Sequence, residues 1–412
     1  MRILYLCHRL PYPPDKGEKI RAFHQILHLA RRHDVHVIAF SDEREHREQA
    51  EGLRRHCASV EVVHRSRGAA ERAALLALLS RRSLSVAAFD SGELRRLVEA
   101  RRRSDPPDVV LVYTSVMAPY AMDAGVPRLV DFVDVDSEKW RLYARRHLPP
   151  RSIVYAIEAS RLAAFEARLC REFEHTASVS ELEAHILASR VPGLRHTVIP
   201  MGVDLDYFGP PKRDPGPGIP AKRIMVFVGV MDYFPNVDAV SWFARETLPL
   251  IRSQVPDAEF HIVGRRPTGG VRALARCPGV TVTGAVADVR PHLAAAALAV
   301  SPFRIARGVQ SKVLEAMASC LPIVGTPIAF QAIGAGAPDG IGTGETPQAL
   351  AHEAVGLLRD PEQRRTRGAA ARAFVERNHQ WEQSGQLLES VLVSLVAQAR
   401  PADSARAAAG SP

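Results

Sequence analysis

The alternation of short apolar segments with helical stretches is the feature that most constrains how this chain can fold. Parallel strands must be joined by crossover connections, which are usually helices, so this alternation is typical of parallel α/β sheets. In the first half of the chain, the expected strands are residues 3–7, 35–40, 60–63, 109–113, 128–133 and 177–179. In the second half, they are residues 224–228, 259–263, 280–283, 298–301 and 323–325. The sequence therefore predicts an α/β protein.

One segment interrupts this alternation. Residues 209–222 contain five prolines and three glycines, a composition that disfavours helix and strand. A chain of 412 residues is also long for one domain. We therefore expect a first domain at 1–208, a hinge-like linker at 209–222 and a second domain at 223–380. A final amphipathic helix at 381–400 and a disordered tail at 401–412 complete the expected organisation.

Residues 298–326 carry the strongest indication of function. Their sequence, LAVSPFRIARGVQSKVLEAMASCLPIVGT, predicts a strand, a loop, a helix and a second strand. Open α/β sheets bind ligands at the carboxyl ends of their strands, and helix N-termini bind anions. Arg304, Arg307 and Lys312 supply positive charge at this place, and Glu315 can accept hydrogen bonds from a ribose. The stretch therefore predicts a site for a nucleoside diphosphate.

Four segments, in order along the chain, resemble those of family 4 glycosyltransferases. They are RILYLCHRLPYPPDKGEKIR at 2–21, VIPMGVDLDYF at 198–208, FVGVMDYFPN at 227–236 and SKVLEAMA at 311–318. Two further runs, DVDSEKW at 134–140 and ARGVQSKVLEAMA at 306–318, are most similar to the sugar transferases of exosortase/PEP-CTERM exopolysaccharide systems.

The resemblance implies a GT-B fold, in which two Rossmann-like domains face each other across a cleft and a C-terminal helix crosses back to the first domain. It implies a retaining, hexosyltransferase-type enzyme of exopolysaccharide biosynthesis that moves a sugar from a nucleotide-diphosphate sugar to a glycan or polyprenyl-linked acceptor. The second domain is expected to bind most of the donor. The expected donor-binding residues are Gly17, Gly229, Asn236, Arg265, Arg304, Gly308, Ser311, Lys312 and Glu315, with Glu315 on the ribose.

Two departures from the family pattern concern the donor site. The family has a Glu–x7–Glu pair whose later acid corresponds to Glu315, whereas Arg307 stands at the position of the earlier acid. The loop at 229–236 also lacks the Arg and Lys pair that stabilises the leaving diphosphate in many family members. The charge of the diphosphate is therefore expected to be compensated by Arg265, Arg304, Arg307 or Lys312.

The first domain is expected to hold the acceptor. His8, Lys19 and Asp136 are the expected acceptor-side residues, and Gly17, Lys19 and Arg21 are candidates for contact with either substrate. The expected catalytic residues are Asp134, Arg307 and Lys312. An Asp-x-Asp pair such as 134–136 binds manganese in GT-A enzymes, but here it lies outside the domain with the diphosphate features, so no metal site is expected.

Simpler roles remain open for several of these residues. Asp134 and Asp136 either line the acceptor side of the cleft or only cap a helix, and Asn236 is either a ligand contact or a helix N-cap. Glu158 and Glu166 lie two turns apart on one helix face and are expected to be solvated.

Composition limits the expected partners. The net charge is +9, and residues 1–200 hold 32 basic and 26 acidic residues. Solvated arginine explains such a surplus, and attraction to anionic lipid or a phosphorylated acceptor is the functional alternative. The sequence has no basic stripe with interleaved aromatics, so a nucleic-acid partner is not expected. No cofactor is expected, and the absence of a signal peptide or long apolar run predicts a cytoplasmic protein with peripheral contact at the inner face of an anionic membrane.

Three other functions fit parts of the pattern. The replaced acid and the missing Arg and Lys pair fit a catalytically inactive nucleotide-sugar-binding protein, and a nucleotide-sugar epimerase of the same fold is a second alternative. A dehydrogenase is disfavoured, because no G-x-G-x-x-G follows the first strand.

Overall fold

The computed structural model describes residues 1–15, 17–42, 46–210 and 223–408. The chain divides into two compact units, one formed by Met1–Pro200 with Glu382–Pro412 and the other by Met201–Trp381. Residues 201–208, which we expected to close the first domain, lie in the second unit. Of the expected linker, residues 211–222 lie outside the described residues, so the hinge stays a prediction.

A seven-stranded parallel sheet forms the centre of the first unit. Its order is β3-β2-β1-β4-β5-β6-β7, so strands are added on one side of β1 and then on the other. Tyr5 in the central strand lies opposite Val37 on one side and Leu111 on the other. The strands are β1 (Arg2–Cys7), β2 (Asp34–Ser41), β3 (Ser59–His64), β4 (Val109–Tyr113), β5 (Arg128–Asp131), β6 (His175–Ser178) and β7 (His196–Val198).

Helices cover both faces of this sheet, which is why its strands are apolar on both sides. Leu4 and Leu6 pack into the hydrophobic cluster on one face, and Ile3 and Tyr5 into the cluster on the other. The helices are α1 (Gly17–Leu29), α2 (His46–Arg54), α3 (Arg67–Leu78), α4 (Leu84–Ala87), α5 (Gly92–Ser104), α6 (Asp136–Arg146), α7 (Arg151–Glu172) and α8 (Glu181–Arg190).

The second unit contains a six-stranded parallel sheet of order β10-β9-β8-β11-β12-β13. Its strands are β8 (Ile224–Val228), β9 (Glu259–Val263), β10 (Val280–Gly284), β11 (Leu298–Ser301), β12 (Ile323–Gly325) and β13 (Ile341–Thr343). Its helices are α9 (Phe234–Trp242), α10 (Leu248–Arg252), α11 (Gly269–Ala273), α12 (Arg290–Ala295), α13 (Ser311–Ala318), α14 (Pro327–Phe330), α15 (Pro347–Arg359) and α16 (Pro361–Asn378).

The last helix, α17 (Trp381–Ala408), begins at the end of the second unit and continues in the first. Leu388, Leu392 and Leu395 join the same hydrophobic cluster as Ile3 and Tyr5. This return of the chain to its first unit was expected from the resemblance. The helix is longer than expected and includes most of the segment for which we expected disorder, while 409–412 lie outside the described residues.

All eleven expected strands are present, and two short strands were missed. β7 and β13 have three residues each, which is too short for a periodic pattern to stand out. The helical stretch between β8 and β9 is divided into α9, a π-helical turn at Phe243–Thr247, and α10. Pro249 explains this division, because a proline has no N–H to donate to the carbonyl of Arg245.

Candidate functional site

The direction of strand addition in the second sheet changes between β8 and β11. β9 and β10 lie on one side of β8, and β11 lies on the other. Connections that leave two such strands diverge to opposite faces, which opens a crevice at the carboxyl edge where ligands bind in open α/β sheets. The loop at 229–233 follows β8 and the loop at 302–310 follows β11, so most of the expected donor residues meet at this crevice.

Lys312 connects the elements that follow these two strands. Its Nζ donates a hydrogen bond to Oδ1 of Asn236 at 2.9 Å, and it lies 4.8 Å and 5.4 Å from the ring centroids of Phe303 and Phe227. Asn236 is held in place because its Nδ2 donates to the carbonyl of Val230 at 2.9 Å. Nζ of Lys312 also donates a longer hydrogen bond to Oε1 of Gln310 at 3.5 Å. Cation–π attraction and these two hydrogen bonds replace only part of the hydration that an ammonium loses on burial. The site is therefore well suited to receive an anion.

Lys312 and Glu315 have shifted pKa values. Burial lowers the pKa of Lys312 to about 8, although the nearby Glu315 acts in the opposite direction. Burial also raises the pKa of Glu315 to about 7, and Lys312 opposes this shift. Both residues keep partial solvent exposure. Two perturbed groups of opposite charge in a crevice identify a candidate functional site.

The backbone before α13 is shaped for close approach to a ligand. Gly308 has a φ of 64°, a conformation that glycine adopts without strain. Nε2 of Gln310 donates to the carbonyl of Arg307 at 3.0 Å and closes the turn. Gln310, the N-cap residue, thus uses its side chain for the turn rather than for the helix. Ser311 is the first residue of α13, whose initial N–H groups can bind an anion.

Two glycines allow the loops after β8 and β9 to pack directly against each other. A Cβ at Gly264, whose φ is 150°, would lie 1.7 Å from the carbonyl oxygen of Gly229. A Cβ at Gly229 would lie 2.9 Å from Nδ2 of Asn236. The N–H of Met231 donates to the carbonyl of Arg265 at 2.9 Å and completes the contact. Larger residues at either glycine would displace the loop that leads into α9 and Asn236.

The arginines expected at the diphosphate have different surroundings. Arg304 forms an ion pair with Asp238, in which Nε lies 3.0 Å from Oδ2, and its guanidinium lies 5.5 Å from the ring of Trp242. Arg304 would have to leave Asp238 to bind a phosphate. Arg307 is half-buried in the turn before α13, and Arg265 is half-buried directly after β9.

The first sheet has its own change of direction, between β1 and β4. His8 follows β1, and its ring stacks on that of Tyr113 at the end of β4, with centroids 5.8 Å apart. Burial lowers the pKa of His8 below its usual value, and Glu18 partly opposes this shift, so the ring is neutral at physiological pH. The hydroxyl of Tyr113 donates to the carbonyl of Glu18 at 2.7 Å. Gly17 is the first residue of α1, which this bond fixes beside His8.

Two cations that follow in α1 are largely buried. Lys19 is 6% exposed and lies 3.7 Å from the carboxylate of Asp15. Arg21 is 1% exposed, and its Nε and Nη2 donate to Asp131 at 3.1 and 2.9 Å while Nη1 donates to the carbonyl of Ile199 at 2.8 Å. The expectation that Arg21 contacts a ligand is therefore wrong, because its donors are used in a buried structural ion pair.

Asp134 follows a strained turn at the end of β5. Val133 has a φ of 62°, which is unfavourable for a β-branched residue. The strained peptide is held because the N–H of Val133 donates to Oδ1 of Asp131 and its carbonyl accepts from the N–H of Val179, both at 3.0 Å. Backbone strain of this kind concentrates at functional sites.

The simpler capping roles are not found. The N-cap of α6 is Val135 and that of α9 is Tyr233, so neither Asp134 nor Asn236 is the capping residue. Asp136 is the first residue of α6 and forms an ion pair with Lys139.

Glu158 and Glu166 are buried rather than solvated. The carboxylate of Glu158 accepts hydrogen bonds from the hydroxyl of Ser83 at 2.7 Å and from the N–H groups of Leu84 and Ser85 at 2.6 and 3.0 Å. Glu166 accepts from the N–H of Ser137, and burial raises its pKa to about 7. Sequence periodicity placed them on one helix face but could not show that other elements cover that face.

Three residues of the site were missed by sequence reasoning. Phe227 and Phe303 flank the ammonium of Lys312, and Asp238 binds Arg304. The sequence pattern places Phe227 in the strand at 224–228 and Phe303 just after the strand at 298–301, and it predicts no role in binding for either residue. Nothing in their spacing indicates that two strands far apart in sequence bring them to 5.6 Å from each other.

Comparisons with known proteins agree with this architecture. Residues 222–360 match the family model described as Glycosyl transferases group 1. No curated protein matches the chain. The match and the fold together support a glycosyltransferase.

Solved structures resemble the chain over nearly its whole length. Sucrose-phosphate synthase from Thermosynechococcus elongatus is 16% identical, with 97% of this chain and 100% of that chain covered and a TM-score of 0.69. HepE from Anabaena, in complex with UDP-glucose, is 16% identical, with 96% and 100% covered and a TM-score of 0.64. A TarM mutant from S. aureus, in complex with fondaparinux, alpha-GlcNAc-glycerol and UDP, is 10% identical, with 95% and 99% covered and a TM-score of 0.62. At these identities the likeness shows the fold alone, which is GT-B.

Two further findings concern the described part of the chain. None of its helices has the length and apolar character needed to cross a membrane. Within the same residues, no group of three or more His, Cys, Asp or Glu side chains is arranged to hold a metal ion. The metal-free reaction stays a prediction.

Proposed function

We propose that this protein is a retaining, hexosyltransferase-type glycosyltransferase of exopolysaccharide biosynthesis. It transfers a sugar from a nucleotide-diphosphate sugar to a glycan or polyprenyl-linked acceptor. The observation that carries the proposal is the position of Lys312, with a lowered pKa, in the crevice between β8 and β11. An ammonium that is incompletely hydrated gains more from an anionic ligand than a solvated one does.

The donor roles follow from this position. Lys312 and the first turn of α13 bind the diphosphate, and Arg307 in the preceding turn adds charge. Glu315, one helical turn further on, accepts hydrogen bonds from the ribose hydroxyls. Asn236 keeps Lys312 oriented through the 2.9 Å hydrogen bond.

The reaction breaks the bond between the anomeric carbon and the diphosphate oxygen and forms a glycosidic bond on the same face. The acceptor hydroxyl gives its proton to the leaving diphosphate, so no protein nucleophile is needed. Lys312 and Arg307 stabilise the charge that develops on that oxygen. Asp134 is proposed as a third catalytic residue, with His8, Lys19 and Asp136 on the acceptor side. Full activity in the presence of a metal chelator is expected, because cationic side chains supply the charge.

The nucleotide and the acceptor are proposed from likeness. Structures of HepE with UDP-glucose and of TarM with UDP and alpha-GlcNAc-glycerol make UDP the first nucleotide to test. A polyprenyl-linked acceptor places the enzyme at the cytoplasmic face of the membrane, in peripheral contact with anionic lipid.

Calorimetric titration with UDP and with uridine tests the donor site. Lys312→Ala should weaken UDP binding by one to two decades and uridine binding hardly at all, since a hydrogen bond to a charged group contributes roughly 1.5–3 kcal/mol. Glu315→Gln should weaken both ligands by a similar factor. Glu345→Gln, an exposed position in the same unit, is the matched control and should change neither affinity. Equal losses for UDP and uridine in the Lys312 variant would contradict the proposal.

Incubation with UDP-sugars separates the enzyme from its alternatives. A transferase should release UDP slowly by hydrolysis and faster with an acceptor, and NMR of the product should show the anomeric configuration of the donor. An inactive binding protein would bind UDP without any turnover. An epimerase would change the sugar without releasing UDP.

A further inference from the structure

An apolar and basic surface of the first unit is formed by α3, α7 and the connection before α7. Among the described residues, eleven large hydrophobic side chains are exposed, and six of them lie in two segments. Leu79 and Leu148 are 90% and 84% exposed. Clustered exposure of this kind marks an interaction surface. The six residues are Leu75, Leu76 and Leu79 at the C-terminal end of α3, Leu148 between α6 and α7, and Ile153 and Ile157 in α7.

A single arginine joins the two segments into one surface. The guanidinium of Arg161 in α7 donates to the carbonyls of Ala77 and Leu78 at 2.8 and 3.3 Å, at the C-terminal end of α3. Ile157 and Ile153 precede Arg161 by four and eight residues, so all three follow one face of α7. At 1.5 Å per residue, Ile153 lies about 12 Å from Arg161 along the helix. We call these six apolar residues and the arginines beside them the leucine–arginine surface.

The connection that carries Leu148 is held firmly. Tyr155 in α7 packs against Trp140 in α6, with ring centroids 5.4 Å apart, and against His147 at 5.2 Å. Leu148 follows directly after this aromatic cluster. The backbone at Leu148 is therefore fixed by packed neighbours, while its side chain is exposed.

The charge around these apolar side chains is strongly positive. Residues 71–82 and 141–161 together contain eight arginines and two glutamates, and of the two acids Glu158 is buried. Two of the arginines, Arg82 and Arg141, form ion pairs with Asp90 and Glu138 outside these ranges, so the surplus is carried by the remaining six. Arg145 and Arg151 are exposed on either side of Leu148, and Arg72 lies one turn before Leu75 and Leu76. Positive charge and exposed leucines therefore occupy the same face.

We propose that the leucine–arginine surface docks the protein onto an anionic lipid bilayer. The leucines enter the boundary between headgroups and acyl chains, and the arginines bind lipid phosphates. A second copy of the chain fits less well, because a symmetric contact would bring the same arginines together. The inference deepens the proposed function, since a lipid-linked acceptor would bring the enzyme to such a bilayer.

Cosedimentation with vesicles tests the electrostatic part. The full chain should bind vesicles of phosphatidylcholine with phosphatidylglycerol, should not bind phosphatidylcholine alone, and should dissociate as salt rises. Arg145→Gln with Arg151→Gln should lower partitioning about thirtyfold. Arg96→Gln with Arg103→Gln, which removes two exposed arginines of α5, is the matched control and should lower it much less.

Two substitutions at the most exposed leucines test insertion. Leu79→Gln with Leu148→Gln should lower partitioning at least about tenfold. In a separate variant, Leu148→Trp should add fluorescence that brominated lipid quenches, whereas Val393→Trp, on the exposed side of α17, should add fluorescence that it does not quench.

Three results would overturn the inference: equal binding to neutral vesicles, no quenching at position 148, or a dimer that becomes monomeric in the Leu79 and Leu148 variant. UDP titration without vesicles reports on the donor site independently. Loss of vesicle binding with normal UDP binding therefore contradicts the surface alone, and the reverse contradicts the proposed donor site alone.

Discussion

At the scale of single residues, Lys312 and Glu315 are unfavourable for folding. The pKa of Lys312 falls from 10.5 to about 8, so its contribution to stability is present above 10.5 and is lost as pH falls through 8. The pKa of Glu315 rises from 4.5 to about 7, so its contribution is present below 4.5 and is lost as pH rises through 7. Between about pH 7 and pH 8 both residues are mostly charged, and both weaken the fold. A ligand that satisfies both charges removes this cost.

Binding of UDP should therefore take up protons. The diphosphate stabilises the ammonium of Lys312 and raises its pKa, so the affinity of the wild-type protein should fall by up to about tenfold per pH unit above pH 8. Calorimetry in buffers of different ionisation enthalpy measures the protons taken up. Lys312→Arg keeps the charge at every pH and should show no such uptake. Uptake that persists in this variant would assign the proton to another group.

At the scale of elements, α4 depends on a residue far along the chain. It has four residues and cannot be stable alone, and Glu158 in α7 accepts hydrogen bonds from the N–H groups of Leu84 and Ser85. A carboxylate at a helix N-terminus also interacts favourably with the helix dipole.

Glu158→Ala should destabilise the protein by at least about 2 kcal/mol, because two backbone donors and a hydroxyl lose their buried acceptor. Urea unfolding monitored by circular dichroism measures the change. Glu172→Ala, an exposed glutamate of the same helix, should cost less than about 0.5 kcal/mol. Similar costs for both variants would contradict the capping role.

At the scale of the whole molecule, α17 completes the core of the first unit. Leu388 and Leu392 are fully buried in the cluster that also contains Ile3 and Tyr5. His28, in the last turn of α1, and His33, in the connection after it, each lie 3.0 Å from the carboxylate of Glu389 and fix α17 in register. The first unit is therefore built from both ends of the chain.

Leu392→Ala should destabilise the first unit by about 2–5 kcal/mol, as expected for a large-to-small change in a core. Hydrogen exchange of the β1 amides should become faster, because the cavity lies against that face of the sheet. Val393→Ala, at the adjacent position that is 47% exposed, is the control and should leave exchange unchanged. Unchanged exchange in both variants would show that α17 does not stabilise this sheet.

Much of the architecture could be predicted from the sequence. Apolar strand segments and helical periodicity are local signals, and each follows from the need of a buried parallel strand to be apolar on both faces. The position of Lys312 and Glu315 near a helix N-terminus was predicted from the same kind of local pattern, a strand, a loop and a helix at 298–326. The strand bounds at 109–113, 224–228, 259–263, 298–301 and 323–325 agree with the structure.

What the tertiary structure decided is the partner of each charged group. Arg21 and Glu158 were expected to be accessible, but Asp131 and the start of α4 surround them with groups that are distant in sequence. The aromatic rings around Lys312 and the carboxylate that binds Arg304 come from other strands and helices. The periodicity of the sequence shows which face of a helix or strand a side chain occupies. Its pKa and its role depend on what covers that face. The sequence alone therefore determined the two-sheet architecture, and only the packing of distant segments decided which charged residues are structural and which are left for a ligand.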